Sequence, residues 1–366
     1  MIRTLARGCV LLLLALWLPA RAQDSPDQGY VPHYGLLRVP DLTPFGFLRL
    51  DMQPAHAVSA APGSWALELE FGYQNTWALS PNVEGYLKSL PGRRKLGPAE
   101  IQAIQNLPGE SYLVDMELGL LDITGHYKFT EHWGAYGTLS VVHYGGGFLD
   151  STIEATHRAL GDDSFGRPAV ERNDVNVILN LKRTHLVEQS LPEAGLLDPR
   201  LGLRFTAIPK PTSWNLIIEG AVKAPVAGER SFLSTGHWDY GLQTTLQGFW
   251  GRHAAYASLA GVRAQPSADA GYSRLYIPTL ILGYEYQTSG RTNLVVQTYA
   301  SPSVYTRSDT DLQDLLAIKY QTSFGVRWRN GQSLWTFALT ENLKSFNNTP
   351  DFGFQIGWAY SPALKR

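Results

Sequence analysis

Residues 318–328 read IKYQTSFGVRW. Ile318, Tyr320, Thr322, Phe324, Val326 and Trp328 fall on one side of an extended chain, and Lys319, Gln321, Ser323, Gly325 and Arg327 on the other. Side chains of a strand alternate between its two faces, so the stretch is a strand with an apolar, aromatic-ended face and a polar face. Residues 238–250 repeat the pattern: Trp238, Tyr240, Leu242, Leu246 and Trp250 oppose Asp239, Gln243, Thr245 and Gln247. So does the end of the chain, where Phe352, Phe354, Ile356, Trp358 and Tyr360 oppose Asp351, Gly353, Gln355 and Gly357. Weaker versions occupy residues 65–73, 214–222 and 280–286. A soluble sandwich also alternates. These strands, however, outrun the roughly five or six residues usual in soluble sheets, and their apolar faces end in Trp or Tyr, as interfacial girdles do. The expected fold is all-β: a transmembrane, antiparallel, up-and-down β-barrel.

Loop lengths orient it. From residue 200 onward short connections (209–213, 251–252, 289–290, 330–331) alternate with longer ones (225–237, 265–274, 301–315, 345–350). Outer-membrane barrels have short periplasmic turns and long outer loops, which places the short turns and the C-terminus inside. Residues 130–132 are a further short turn, so the next strand rises and delivers residues 145–198 to the outer face. Residues 174–187 alternate like a strand, but one more crossing there would invert every later loop. They are therefore assigned to the insert or to a wall extension above the membrane, leaving about twelve spanning strands. In residues 113–129 the apolar set changes parity between Leu120 and Ile123, which predicts a bulge.

The chain begins with Arg3 and Arg7, an apolar run from Val10 to Leu18, and Ala20-Arg21-Ala22. This is the pattern of a signal peptide over residues 1–22; the apolar run is too short to span a bilayer. The single cysteine, Cys9, lies just before the apolar run and inside residues 1–22, so the mature chain is expected to form no disulfide. Removing Arg3, Arg7 and Arg21 takes the formal charge from -1 to about -4, which argues against a nucleic-acid partner. Residues 23–63, rich in Pro and Ala and without a sustained period, read as a periplasmic or barrel-plugging segment, and residues 64–366 as the barrel. Residues 98–107 fit a short helix.

Leading into and through the insert, Tyr144 to Arg172 reads as a short helix between glycines and a charged loop. Leu149, Ile153, Thr156 and Leu160 share one helical face, and Asp150, Glu154 and His157 another. Ser151 and Glu154 have capping-box spacing.

Gly146-Gly147-Phe148-Leu149-Asp150-Ser151-Thr152-Ile153-Glu154, followed by His157, Gly161 and Arg167, resembles a motif of an uncharacterised family of bacterial outer-membrane barrels. Val114-Asp115-Met116-Glu117-Leu118 and Trp133-Gly134 are similar to segments of the same family. Leu197-Asp198-Pro199, Lys223-Ala224-Pro225-Val226-Ala227-Gly228 and Ser234-Thr235-Gly236 resemble segments of small barrels from aromatic-degradation gene neighbourhoods, for which the resemblance implies transport. It also implies the barrel, the outer membrane of a Gram-negative cell, its lipids and the barrel assembly machinery as partners; it implies no established activity. Unlike many such barrels, the chain does not end on an aromatic residue: Tyr360 is followed by six more residues, 361–366.

Two groups of residues are candidates for a site. Asp150, Glu154 and His157 form a potential cluster for a polar ligand or a divalent cation, although metal sites usually show more ligands, and the plainer reading makes Glu154 a helix cap. The lumen-facing charges Glu219, Lys223, Asp239, Glu285, Lys319 and Arg327, with Glu68, Glu70, Arg204 and Arg329, carry both signs. A selective pore usually carries a ring of one sign, so mixed charge points to internal salt bridges. No catalytic residue, metal site or cofactor is assigned: Ser151 and His157 face opposite sides of a helix, no G-x-S-x-G elbow occurs, and His143 at the outer rim has no serine partner in the sequence pattern. The leading expectation is a channel or small-solute binding and transport protein gated or plugged by the 145–198 insert. The alternatives are an outer-membrane lipid hydrolase with its site near the insert, and a structural barrel without activity.

Overall fold

A computed structural model describes residues 33–41, 46, 48–54, 62–161, 163–209, 213–226, 229–230, 232–266, 271–342, 349 and 352–361. The leader assigned to residues 1–22 lies outside the described residues. The wall is formed by β1 (Ser64–Leu79), β2 (Ser111–Lys128), β3 (Trp133–Gly145), β4 (Arg200–Thr206), β5 (Trp214–Lys223), β6 (Asp239–Trp250), β7 (His253–Arg263), β8 (Tyr276–Ser289), β9 (Thr292–Ser301), β10 (Lys319–Asn330), β11 (Ser333–Glu341) and β12 (Phe352–Tyr360). Each pairs antiparallel with its neighbours in sequence, and β12 returns to β1 over Asn75↔Phe352 to Leu67↔Tyr360. The barrel is therefore a closed ring of twelve strands, with no open edge to satisfy.

The alternation read from the sequence is the alternation of burial. On β10, Gln321, Ser323 and Arg327 are buried inward, while Val326 and Trp328 are exposed outward. Exposed Trp65, Trp133, Trp214, Trp250, Trp328 and Trp335 ring the end with the short turns. Trp238, Tyr240 and Tyr276 mark the other end, and Leu242, Leu246, Leu282, Phe337 and Ile356 lie between. An apolar outer belt between two aromatic girdles is the surface of a barrel that crosses a bilayer. Among the described residues no helix is long and apolar enough to cross a membrane.

Residues 174–187 hold two short strands, Asn176–Asn180 and His185–Glu188. The first pairs with the upper end of β2 and the second with the first, so they extend the wall without crossing the membrane. The change of parity in β2 has another cause than the expected bulge. Its pairing with β1 runs unbroken from Ser64↔Lys128 to Leu79↔Leu113. Instead, the environment inverts. In the lower half Asp122, Thr124 and His126 point inward and Ile123 is exposed outward; in the upper half Tyr112, Val114, Met116 and Leu118 are packed inside.

What makes the upper outer face different is a covering layer. Helices α1 (Pro81–Ser89) and α2 (Pro98–Gln105) lie in the β1–β2 connection, and α3 (Asp150–Leu160) in the insert. Val83, Leu87, Leu96, Ile104, Ala169 and Val170 bury the outward Trp77, Leu79, Leu113 and Ile178. The insert helix α3 thus stands beside the wall, bonded to outward residues of β1 and β2, while Val177, Leu179, Leu181 and Leu197 of the same insert pack inward with Leu48, Leu50 and Met52.

Substitution tests these facings. Phe337→Arg places a guanidinium on the lipid side, where it costs about 2–4 kcal/mol near the midplane; Thr336→Ala, one residue away and inward, should cost under about 1 kcal/mol. Urea titration of the barrel in detergent should separate the two, and equal losses would contradict the assigned facing.

Candidate functional site

The lumen is occupied by the chain's own N-terminal segment. His33 sits at the short-turn end, its Nε2 3.1 Å from the Gly251 carbonyl oxygen. Residues 33–41 climb from there, residues 48–54 lie beside them, and the chain is back at the short-turn end where Gly63 N–H donates to Lys128 O. The two arms are tied together: Arg38 donates to Gln53 Oε1, Asp41 N–H to Asp51, and Arg49 to Asp41. This strap joins no strand of the wall. Its backbone polar groups are met by inward side chains instead, which is the other way to satisfy a buried peptide.

Of the ten lumen charges singled out from the sequence, nine are buried and Arg329 is half-buried, and Glu285, Arg327, Lys319, Lys223 and Asp239 hold the strap's backbone or its Asp41. Glu285 accepts N–H bonds from Tyr34 and Gly35 at 3.0 Å. Arg327 donates to the carbonyl oxygens of Gly35 and Leu36. Lys319 is paired with Asp41 at 2.7 Å. Lys223 donates to Leu48 O, and Asp239 accepts from Leu50 N–H. Glu219 serves the wall, accepting from Arg204 and Tyr136. Mixed charge in the lumen is thus paired charge, as the balance of signs suggested. Glu68 faces the strap's Arg38 at 3.4 Å.

The segments resembling aromatic-degradation barrels meet at Lys223. Its Nζ lies 3.1 Å from Asp239 and 3.7 Å from Asp198, and donates to Thr235 Oγ1, while Ser234 donates to Asp198. Beside this node, strap residues Asp41, Leu48, Arg49 and Asp51 and wall residues Asp198, Arg200 and Lys223 enclose a cavity of about 20 Å³, room for about one water molecule.

Alternation places Gly325 on the polar face but gives the wall glycines no role. A Cβ on Gly283 would lie 2.2 Å from Leu36 Cδ2, one on Gly325 2.6 Å from Leu37 Cδ2, and one on Gly241 2.5 Å from Met52 Sδ. These three inward positions are notches for strap side chains. The available signal was a glycine on the inward parity of a strand, which marks close approach by another backbone or a ligand.

The insert candidates are placed differently. Asp150 is buried, bonded by Arg167 and Asn75 side chains and by the Asn173 N–H. Arg167 also lies over the Trp77 ring. Glu154 is held by Arg93 and Arg172. His157 is half-buried, and its Nδ1 has no hydrogen-bond partner. The structure does not join the three side chains in one cluster: each carboxylate has its own cations, and among the described residues no group of three or more His, Cys, Asp or Glu could hold a metal ion. The capping box does not form. Leu149 is the N-cap, and the wall carboxylate Glu117 accepts the N–H groups of Phe148 and Leu149. Gly147, at φ 68°, lies so close to Glu117 that a Cβ would overlap its carboxylate.

Burial pushes the Glu154 carboxyl up, but hydrogen bonds from Arg172 and Arg93 outweigh it and hold the group below the usual carboxylate range. A depressed folded pKa means a contribution present above the unfolded value, about 4.3, and lost as pH falls through the lower folded value. Hydrogen exchange of α3 should therefore accelerate below about pH 4, and Glu154→Gln should remove most of that dependence; an unchanged profile in the variant would disprove the assignment.

The fold is similar to that of an outer membrane channel from Pseudomonas putida F1, at 11% identity, covering 85% of this chain and 99% of that one, with a TM-score of 0.50. The toluene transporter TodX of P. putida matches at 10% identity over 82% of this chain and 90% of that one, with a TM-score of 0.38. At these identities the likeness is one of fold. No curated protein sequence matches the chain. Residues 99–361 match the model of a family described as protein of unknown function, DUF3187, and on that match, which spans well over half of its length, the chain belongs to this family.

Proposed function

We propose that this protein is an outer-membrane channel, exported by the signal peptide of residues 1–22 and closed in this conformation by the strap of residues 33–54. The observation that carries the reading is how the strap is held. Among its described residues it shares no β-ladder with the wall, so its departure breaks side-chain bonds and leaves every ladder bond of the barrel intact. The strap is held by these polar contacts together with apolar packing of Tyr34, Leu36, Leu37, Leu48, Leu50 and Met52 against inward wall residues. The 145–198 insert has two roles in this reading. Its helix braces the upper outer face of β1 and β2, while its Val177, Leu179, Leu181 and Leu197 pack with strap residues Leu48, Leu50 and Met52 in one buried cluster, so that insert and strap share the closure. The mid-lumen side chains Gln243, Thr245, Ser258, Gln297, Gln321 and Ser323 are hydrophilic, which favours a polar solute.

Filling a notch should eject the strap. Gly283→Phe or Gly325→Phe in the full-length protein should produce conductance steps in planar bilayers that the unsubstituted protein lacks. Folded variants that stay as silent as the parent would remove the channel reading.

Sidedness follows from the even strand count. Cysteines at Thr156 and Ser308 should react with a membrane-impermeant maleimide on intact cells, whereas those at Ser213, Ser289 and Gly331 should react after the outer membrane is opened. The opposite pattern would turn the barrel over.

A further inference from the structure

We propose that the lumen is built to hold a peptide main chain bent at a glycine, as the strap is at Gly35 (φ 84°), so that the solute class of the channel is peptide and the strap is a tethered stand-in for it. The inference rests on the channel reading above. Gln297 is the central observation. Its side-chain amide accepts from Leu37 N–H at 2.7 Å and donates to Leu37 O at 3.0 Å, pairing with one residue's backbone as a neighbouring strand would. On one side of it Glu285 takes the N–H groups of Tyr34 and Gly35, and Arg327 the carbonyls of Gly35 and Leu36. On the other, Gln355 donates to Arg38 O at 2.6 Å. These four wall residues therefore bond main-chain donors or acceptors of every strap residue from 34 to 38.

Every non-proline residue offers the same N–H and C=O, so such contacts select a polyamide, and the left-handed φ at Gly35 adds a preference for glycine at that position. An oligosaccharide offers no N–H and C=O at this fixed repeat, and a hydrocarbon would replace none of the main-chain bonds that Gln297 and Arg327 make to the strap, which is how polar sites reject apolar ligands. The notches at Gly283 and Gly325 add a preference for apolar side chains at two successive positions, where the strap carries Leu36 and Leu37.

The test uses the full-length chain with a site-specific protease sequence placed within residues 55–61 and cut after folding, so that the strap becomes exchangeable. A fluorescent peptide of residues 33–54 should bind the cut protein saturably. The same peptide N-methylated at Leu37 should bind about tenfold more weakly, having lost one buried main-chain bond. Gln297→Leu in the barrel should abolish that difference. An otherwise unrelated peptide carrying Gly-Leu-Leu should compete, and maltoheptaose should not. Equal binding of the methylated and unmethylated peptides, or competition by the sugar, overturns the proposal. If the cut strap stays bound, its release in urea is followed instead: Gln297→Leu should speed release about tenfold and more than Leu37→Ala does, and the reverse order overturns the proposal. Conductance of the strap-free protein is measured in parallel. A silent barrel that still binds peptide ends the channel reading alone; a conducting one that does not bind peptide ends this inference alone.

Discussion

A charge inside a narrow barrel has lost most of its water and must find a partner from the protein, and a buried peptide without a strand neighbour has the same need. In this molecule the two deficits meet. The inward carboxylates, guanidinium and amides of β6, β8, β9, β10 and β12 have nothing opposite them on their own strands that would satisfy them all. The strap brings backbone groups that belong to no sheet. Most of the lumen's particulars follow from that match: the height of Glu285, Gln297 and Arg327 on their strands, the glycines that let Leu36, Leu37 and Met52 approach the wall, and the pairing of Lys319 with Asp41.

The wall of β1 and β2 answers to two different surroundings along its length. Below, its outer face meets lipid and is apolar. Above, the outer face carries Asn75, Asp115 and Glu117, and these acquire Arg167, Asn176 and the start of α3 as partners. The segments that resemble an uncharacterised barrel family, residues 114–118 and 146–154, are the two halves of this contact. What that family resemblance picks out is therefore a docking of helix to wall outside the pore.

The barrel was legible in the sequence because half-burial with period two is a local property of each strand. Trp328 and Arg327 declare their faces without reference to any other segment, and loop parity then excluded residues 174–187 from the crossings. The facing of Glu285 or Lys319 was legible for the same reason. Their partners were not, because residues 33–54 are held by side chains of distant strands and need no period of their own. The insert misled in the same way. Ser151 and Glu154 have the spacing of a self-contained cap, yet Glu117, more than thirty residues earlier in the chain, supplies the cap and leaves Glu154 to Arg93 and Arg172. The parity change in β2 was visible, but a bulge and a change of surroundings write the same pattern into a single strand.

The path of the strap has a topological consequence. From His33 to Gly63 the chain enters and leaves by the same end of the barrel. It is a bight pushed into a tube, not a cord drawn through one. A closed twelve-strand ring can therefore accept it after the β1–β12 seam has formed and can give it up again with neither chain terminus passing through the lumen, and no knot arises at either step. Assembly of the wall and filling of the lumen can be separate, ordered and reversible events in the life of one chain.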